Sequence, residues 1–208
     1  MLSPMVSETP ASLASHLDTA GYDQVLDGGA NIGEFAALVR ARCPGIPLLC
    51  IEPHPEAANT LRRRGFQVVE AALWSGEGEA VLTQPTEATT SATLLDPGGH
   101  SLPSWKVRTV RLDQLPIIGR KVLVKLDLQG AEVEALAGLE GAWDRVEGLI
   151  LEVGLGQGES YYELRKIMEA KGFVEAATFN ELDAAGKAIE ADKLWIRHSP
   201  ALEAGRAG

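Results

Sequence analysis

Short apolar runs alternate with segments of helical spacing along most of the chain. Residues 25–28 (VLDG), 47–52 (PLLCIE) and 66–73 (FQVVEAAL) are predicted strands. Residues 32–42 and 55–64 between them carry helical spacing, the second with Pro55 in the first turn, where a missing N–H costs nothing. The alternation resumes with strands at 121–128 (KVLVKLDL) and 148–155 (GLILEVGL), followed by helices near 132–139 and 161–171. Strands at 173–179 (FVEAATF) and 193–198 (KLWIRH) close the pattern. Only a turn-rich stretch separates these two, so they read as an antiparallel hairpin at one sheet edge. Strand–helix alternation implies right-handed crossovers and an α/β fold whose mostly parallel sheet carries helices on both faces.

The pattern breaks between residues 74 and 112. Residues 79–84 (EAVLTQ) and 105–112 (WKVRTVRL) read as extra strands, and the Thr-, Ser-, Pro- and Gly-rich stretch 85–104 between them is a candidate lid loop. A short helix over 9–20 makes residues 1–21 an N-terminal extension, residues 22–198 form the main domain, and 199–208 are a flexible tail. The length of 208 residues suits one domain at ~150 residues per domain, with enough core to need no disulfides. Cys43 and Cys50 therefore read as reduced thiols in a cytoplasmic protein. No apolar run is long enough to span a membrane. Nineteen Lys and Arg against 29 Asp and Glu leave a net charge of −10, which disfavours a nucleic-acid partner.

The strongest chemical signal is VLDGGANIGEF at 25–35, where an apolar strand runs through a glycine turn into a helix. Asp27, Gly29, Asn31 and Gly33 fall at the spacing D-x-G-x-N-x-G. Glycine permits positive φ and close backbone approach, and the free N–H groups of the following helix favour an anionic ligand group. The turn also resembles a dinucleotide fingerprint with Ala30 in place of the middle glycine. Glu52 ends the second strand about 20 residues further on, where a carboxylate accepts hydrogen bonds from ribose hydroxyls and repels a 2′-phosphate.

With these residues in place, the chain resembles class I S-adenosylmethionine-dependent methyltransferases, and more narrowly the FkbM family. The resemblance covers residues 22–197 and rests on DGGANIGEF (27–35), IEPHPEAANTL (51–61), ALWSGEGEAVL (72–82), VRLDQL (110–115), KLDLQGAEVEALAGL (125–139) and LILEV (149–153). It implies a Rossmann-like, seven-stranded, mostly parallel sheet with an antiparallel last strand. The implied reaction is O-methylation of a hydroxyl on a small molecule or sugar. Carried over by position, Asp27, Gly28, Gly29, Ala30, Asn31 and Gly33 would surround the methionine part of S-adenosylmethionine. Glu52 would hold the ribose, with Pro53 and His54 at the adenosine rim and Ala71, Ala72 and Leu73 near the adenine. Asp127 would border the methyl-transfer centre. His54 on its own reads as an exposed helix-start residue.

An independent argument comes from charge inside a strand. A central parallel strand should be continuously apolar, yet Lys125 and Asp127 interrupt VLVKLDL two positions apart, on one face. Glu152 interrupts LILEV similarly. One reading is a structural ion pair. The other is a catalytic cluster in which Asp127 or Glu152 takes the acceptor proton, with Lys125 beside them. Asp127, Glu132 and Glu152 are also candidate oxygen ligands for a divalent metal such as magnesium or calcium. The rival functions are an NAD-dependent oxidoreductase and a non-catalytic cofactor-binding regulatory subunit. Expected partners are a small-molecule or sugar acceptor and, as an open alternative, a second copy of the chain.

Overall fold

The computed structural model describes residues 21–84, 92–94, 102–154, 158–184 and 187–198, together with Leu13, His16 and Leu17; for 158–160, 180–184 and 187–190 only the backbone is described. Most of the predicted extension, most of the 85–104 loop and the 199–208 tail therefore lie outside the described residues.

Among the described residues, the main sheet has seven strands. Its centre is β1 (Gln24–Gly28) paired in parallel with β2 (Leu48–Ile51) on one side and β7 (Val122–Leu126) on the other. Every residue of β1 and β7 is buried, as central parallel strands require, the polar Gln24, Asp27 and Lys125 included. β3 (Gln67–Val69) forms one edge, and β8 (Val146–Gly154) continues the sheet beyond β7.

β9 (Phe173–Ala184) and β10 (Lys187–Arg197) are the predicted hairpin, but longer than the apolar runs indicate. β10 inserts antiparallel between β8 and β9, so it is an interior strand and β9 alone is the edge. Insertion is what buries Trp195 to 1% exposure. The seven-stranded sheet with an antiparallel last strand is thus present.

The predicted strand at 66–73 is two strands. After β3 a tight turn, in which Ala71 N–H donates to Val69 O at 3.1 Å, leads the chain out of the main sheet. β4 (Ala72–Leu73) then pairs with β6 (Ser104–Val110), which also holds β5 (Gly78–Thr83), forming a separate three-stranded sheet.

Helices cover both faces. α1 (Glu34–Arg42) packs Val39 and Phe35 against Val25, Leu123 and Ile150. α3 (Glu132–Ala137) and α4 (Gly158–Ala170) pack Ala135, Leu136, Leu164 and Met168 onto the face carrying Leu26, Val124 and Leu149. α2 (Pro55–Arg63) meets α1 through Leu61 and Ala36. Cys50 is a buried core residue between them, its thiol pushed up to about 12 by burial and then by Asp27. Among the described residues, no helix is long and apolar enough to cross a membrane.

Candidate active site

The turn between β1 and α1 has three residues of positive φ, Gly29 (73°), Asn31 (46°) and Gly33 (87°). Gly29 and Ala30 N–H groups both donate to Ile51 O, at 2.9 and 3.2 Å, clamping the turn onto the end of β2. A Cβ on Gly29 would sit 1.9 Å from Asp127 O, and one on Gly33 would sit 2.6 Å from Leu61 Cδ2. These glycines therefore allow β1 to meet the end of β7 and α1 to meet α2. Ala30 is buried beside Cys50 and Phe66. Asp27, at the end of β1, is fully buried, and neither carboxylate oxygen has a hydrogen-bond partner. Burial raises its pKa to about 6; Lys125 opposes the shift and Asp127 adds to it.

Glu52 faces this turn. Its Oε2 accepts from Asn31 N–H and its Oε1 from His54 N–H, each at 2.7 Å. Burial pushes its pKa up to about 7, against the lowering effect of the two N–H bonds and with Asp27 and Asp127 adding to the rise. His54 does start α2, but it is buried rather than exposed. Its Nδ1 accepts from Glu56 N–H, its Nε2 meets Gln84 Oε1 at 3.1 Å, and its ring lies 4.4 Å from that of Trp105. It fastens the main sheet to the smaller one.

The charged residues of β7 and β8 come together as the strand pattern implies. Lys125 Nζ donates to Asp127 Oδ2 at 2.8 Å. Gln129, which the sequence reading passed over, completes the cluster. Its Nε2 donates to Glu152 Oε2 at 2.7 Å and Asp127 Oδ1 at 3.3 Å, joining the two carboxylates. The available signal was its position before Gly130: both have positive φ, 53° and 101°, so the turn aims the Gln129 side chain back over the strand ends. Burial disfavours the Lys125 ammonium, but Asp127 and then Asp27 outweigh it and hold its pKa above the usual value. Burial likewise opposes the Asp127 carboxylate, and the Lys125 charge wins, holding its pKa low.

The predicted metal set does not assemble. Glu132 Oε1 accepts from Leu128 N–H at 2.7 Å and Gly130 N–H at 3.4 Å, so this carboxylate closes its own turn. Among the described residues, no group of three or more His, Cys, Asp or Glu is placed to hold a metal ion.

A cavity of about 430 Å³ opens between these elements. Of the predicted cofactor residues, Gly29, Asn31, Glu52, Pro53, Ala72 and Leu73 line it, whereas Asp27, Gly28, Ala30 and Gly33 do not. Asp127, Gln129 and Glu152 line the other end, with Lys125 behind Asp127. Leu82 of β5 and the short segment Ala92–Leu94 supply an apolar wall. That segment is held by a Thr83–Thr93 backbone pair at 2.9 and 2.8 Å and by Thr93 Oγ1, which donates to Gln129 O at 3.1 Å. The part of the predicted lid that is described thus touches both the smaller sheet and the acidic turn.

Known proteins resemble this chain in sequence and fold. Two curated relatives are "Methyltransferase 1" of Beauveria bassiana, 24% identical with 73% of this chain and 72% of the relative covered, and "Methyltransferase sdnD" of Sordaria araneosa, 25% identical with 72% and 73% covered. A solved FkbM methyltransferase from Methylobacillus flagellatus KT superposes with a TM-score of 0.57 at 16% identity over 84% of this chain. This chain spans only 43% of that one. An rRNA methylase from Streptococcus thermophilus gives 0.52 at 12% identity, covering 89% of this chain and 94% of the other. At these identities the structural matches establish the fold. The methyltransferase FkbM domain profile matches residues 27–175, well over half of the sequence, and the chain therefore belongs to the FkbM methyltransferase family.

Proposed function

We propose that the protein is an S-adenosylmethionine-dependent O-methyltransferase acting on a hydroxyl of a small molecule or sugar. The observation that carries this reading is one cavity with two different carboxylate ends, Glu52 against the glycine turn and the Asp127–Glu152 pair at the ends of β7 and β8. Its volume suits a cofactor-sized ligand.

The residues present fit the cofactor. Each Glu52 oxygen already accepts one backbone N–H and retains acceptor capacity for a ribose hydroxyl. Ala71, Ala72 and Leu73 offer an apolar strip for a purine. The buried Asp27 carboxylate, with no protein donor, favours a positive group nearby. When bound, the cofactor supplies an electrophilic methyl group on a sulfonium. Transfer of that methyl group to a hydroxyl would release the hydroxyl proton, which the carboxylates of Asp127 and Glu152 are placed to take.

Asp127 and Glu152 orient that hydroxyl and receive its proton. Lys125 keeps Asp127 ionised at neutral pH, which favours orientation over strong basicity. The apolar wall from Leu82 and Leu94 excludes water from the line of attack. Alignment of this kind supplies up to ~7–11 kcal/mol of the barrier reduction. No step passes through a metal.

Calorimetry tests the reading against its rivals. S-adenosylmethionine and its demethylated product should bind, NAD should not, and Glu52→Ala should weaken binding by about 10- to 100-fold. Binding of NAD without S-adenosylmethionine would favour an oxidoreductase. Binding without turnover of any hydroxylated acceptor would favour the regulatory subunit.

A further inference from the structure

The charge around the cavity narrows the acceptor. Among the described residues its wall carries the carboxylates of Glu52, Asp127 and Glu152 and no Lys, Arg or His. The nearest ammonium, Lys125, is buried behind the wall and answers to Asp127, Asp27 and Asp192 together. Asp192 of β10 lies opposite Glu152 of β8 in the sheet register, extending the acidic row across a further strand.

The sequence carries the same imbalance into segments that approach this end of the sheet. Among the described residues, no Lys or Arg occurs in 21–39, 65–84, 92–94, 126–144 or 146–154. Those stretches include the glycine turn, the Ala92–Leu94 segment, the turn after β7 and the end of β8. Several cations stand at the other end of the sheet instead. Arg120 and Lys121 precede β7, Arg145 precedes β8, and Arg197 at the end of antiparallel β10 donates to Val146 O. The asymmetry is therefore along the strands, with the ligand end negative.

We propose that the acceptor carries a protonated amine close to the hydroxyl that is methylated, as in an amino sugar or amino alcohol, and that acceptors with a carboxylate or phosphate in that place are excluded. The inference rests on the methyltransferase reading above. In a site that excludes water, charges interact far more strongly than in solution, so a cation beside Asp127 and Glu152 is stabilised. An anion there faces like charges, with no lysine or arginine among the described lining residues to meet it and the Lys125 ammonium already given to Asp127. A neutral polyol can donate hydrogen bonds to the same carboxylates and ranks between the two.

Three probes of one ring shape test this: methyl glucosaminide, methyl glucoside and methyl glucuronide. Each is titrated into protein saturated with the demethylated cofactor product, which lacks the sulfonium charge. The glucosaminide should bind at least ~10-fold more tightly than the glucoside, and the glucuronide least. High salt should narrow the range. Asp127→Asn and, independently, Glu152→Gln should each compress it. Equal affinities, a glucuronide at or above the glucoside, an order insensitive to both variants, or no binding by any probe would overturn the proposal. The preceding titration with S-adenosylmethionine separates the failures. If that cofactor does not bind, the methyltransferase reading falls; if it binds and the charge order is absent, only the acceptor inference falls.

Discussion

The two ends of the cavity are built by different means. At the Glu52 end, both carboxylate oxygens are held by backbone N–H groups, from Asn31 in one turn and His54 in the next. At the Asp127–Glu152 end, side chains do the holding, an ammonium from Lys125 and a carboxamide from Gln129. The electrostatic outcome differs accordingly. Two N–H dipoles do not offset burial, and the Glu52 pKa rises to about 7. A full positive charge at 2.8 Å does offset it, and the Asp127 pKa falls. A backbone-built end is as fixed as the fold itself. A side-chain-built end can be retuned by substitution without changing the chain's path, which suits the part of a site that meets a variable acceptor.

The largest effect should come from breaking the backbone-built end. Gly29→Ala places a methyl group 1.9 Å from Asp127 O at a φ of 73°, and neither strand end can give way without losing its pairing. Strain and overpacking together should cost about 3–5 kcal/mol in urea unfolding, with S-adenosylmethionine binding reduced. Lys125→Met should come next. It leaves Asp127 and Asp27 without their shared cation. The expected loss is about 3 kcal/mol, at the low end for a buried pair because the Asp127 side chain keeps 33% exposure. An unfolding midpoint unchanged from wild type would show that the acidic end needs no internal cation.

The contrast also marks what was legible in the sequence. Lys125 and Asp127 are two positions apart in a strand, so their shared face followed from the period, and the 2.8 Å ion pair agrees. Glu52 stood out as an acid at the end of an apolar strand. Gln129 did not, because a glutamine in a turn is ordinary; only the paired positive φ values at 129 and 130 aim it at the carboxylates. Glu132 was read as a metal-ligand candidate by its residue type, but a backbone turn claims it first. In the fold, apolar runs gave the strands but not their order. Nothing in 193–198 says that β10 enters between β8 and β9. The break at Ala71 was hidden because Ala71, Ala72 and Leu73 resume the apolar run of Val68 and Val69 after a turn made at the single residue Glu70.

Asp127→Asn sharpens the comparison at the acceptor end. It keeps the size and hydrogen-bonding capacity of the side chain while removing the charge. Turnover should fall at least ~100-fold, with S-adenosylmethionine affinity within about 2-fold of wild type, because Glu52 is untouched. Wild-type turnover would leave Asp127 as an ion-pair partner only.

The smallest effect, and the most selective for the other end, is proton linkage at Glu52. Its pKa is about 7 in the folded chain against an ordinary 4.5, so the folded state binds more protons than the unfolded state between those values. Stability from this group is therefore fully present below pH 4.5 and is lost as pH rises through 7. Asp27, raised from 3.8 to about 6, acts in the same direction, whereas His16, lowered from 6.5 by burial, opposes it in part of the window. The difference between wild type and Glu52→Gln isolates the Glu52 contribution. It should amount to about 1–3 kcal/mol between pH 5 and pH 8, with wild type losing more stability as pH rises. Ribose hydroxyls donate to the ionised carboxylate, so cofactor binding should lower this pKa and release a fraction of a proton near pH 6.5. Calorimetry in buffers of different ionisation enthalpy measures that release directly. Glu52→Gln should remove most of it, leaving the smaller share that Asp27 releases, and Asp127→Asn, whose carboxylate is already ionised, should leave it nearly intact. Equal proton release in wild type and Glu52→Gln would move the linkage from Glu52 to another group in the cavity and end the division of labour between its two ends.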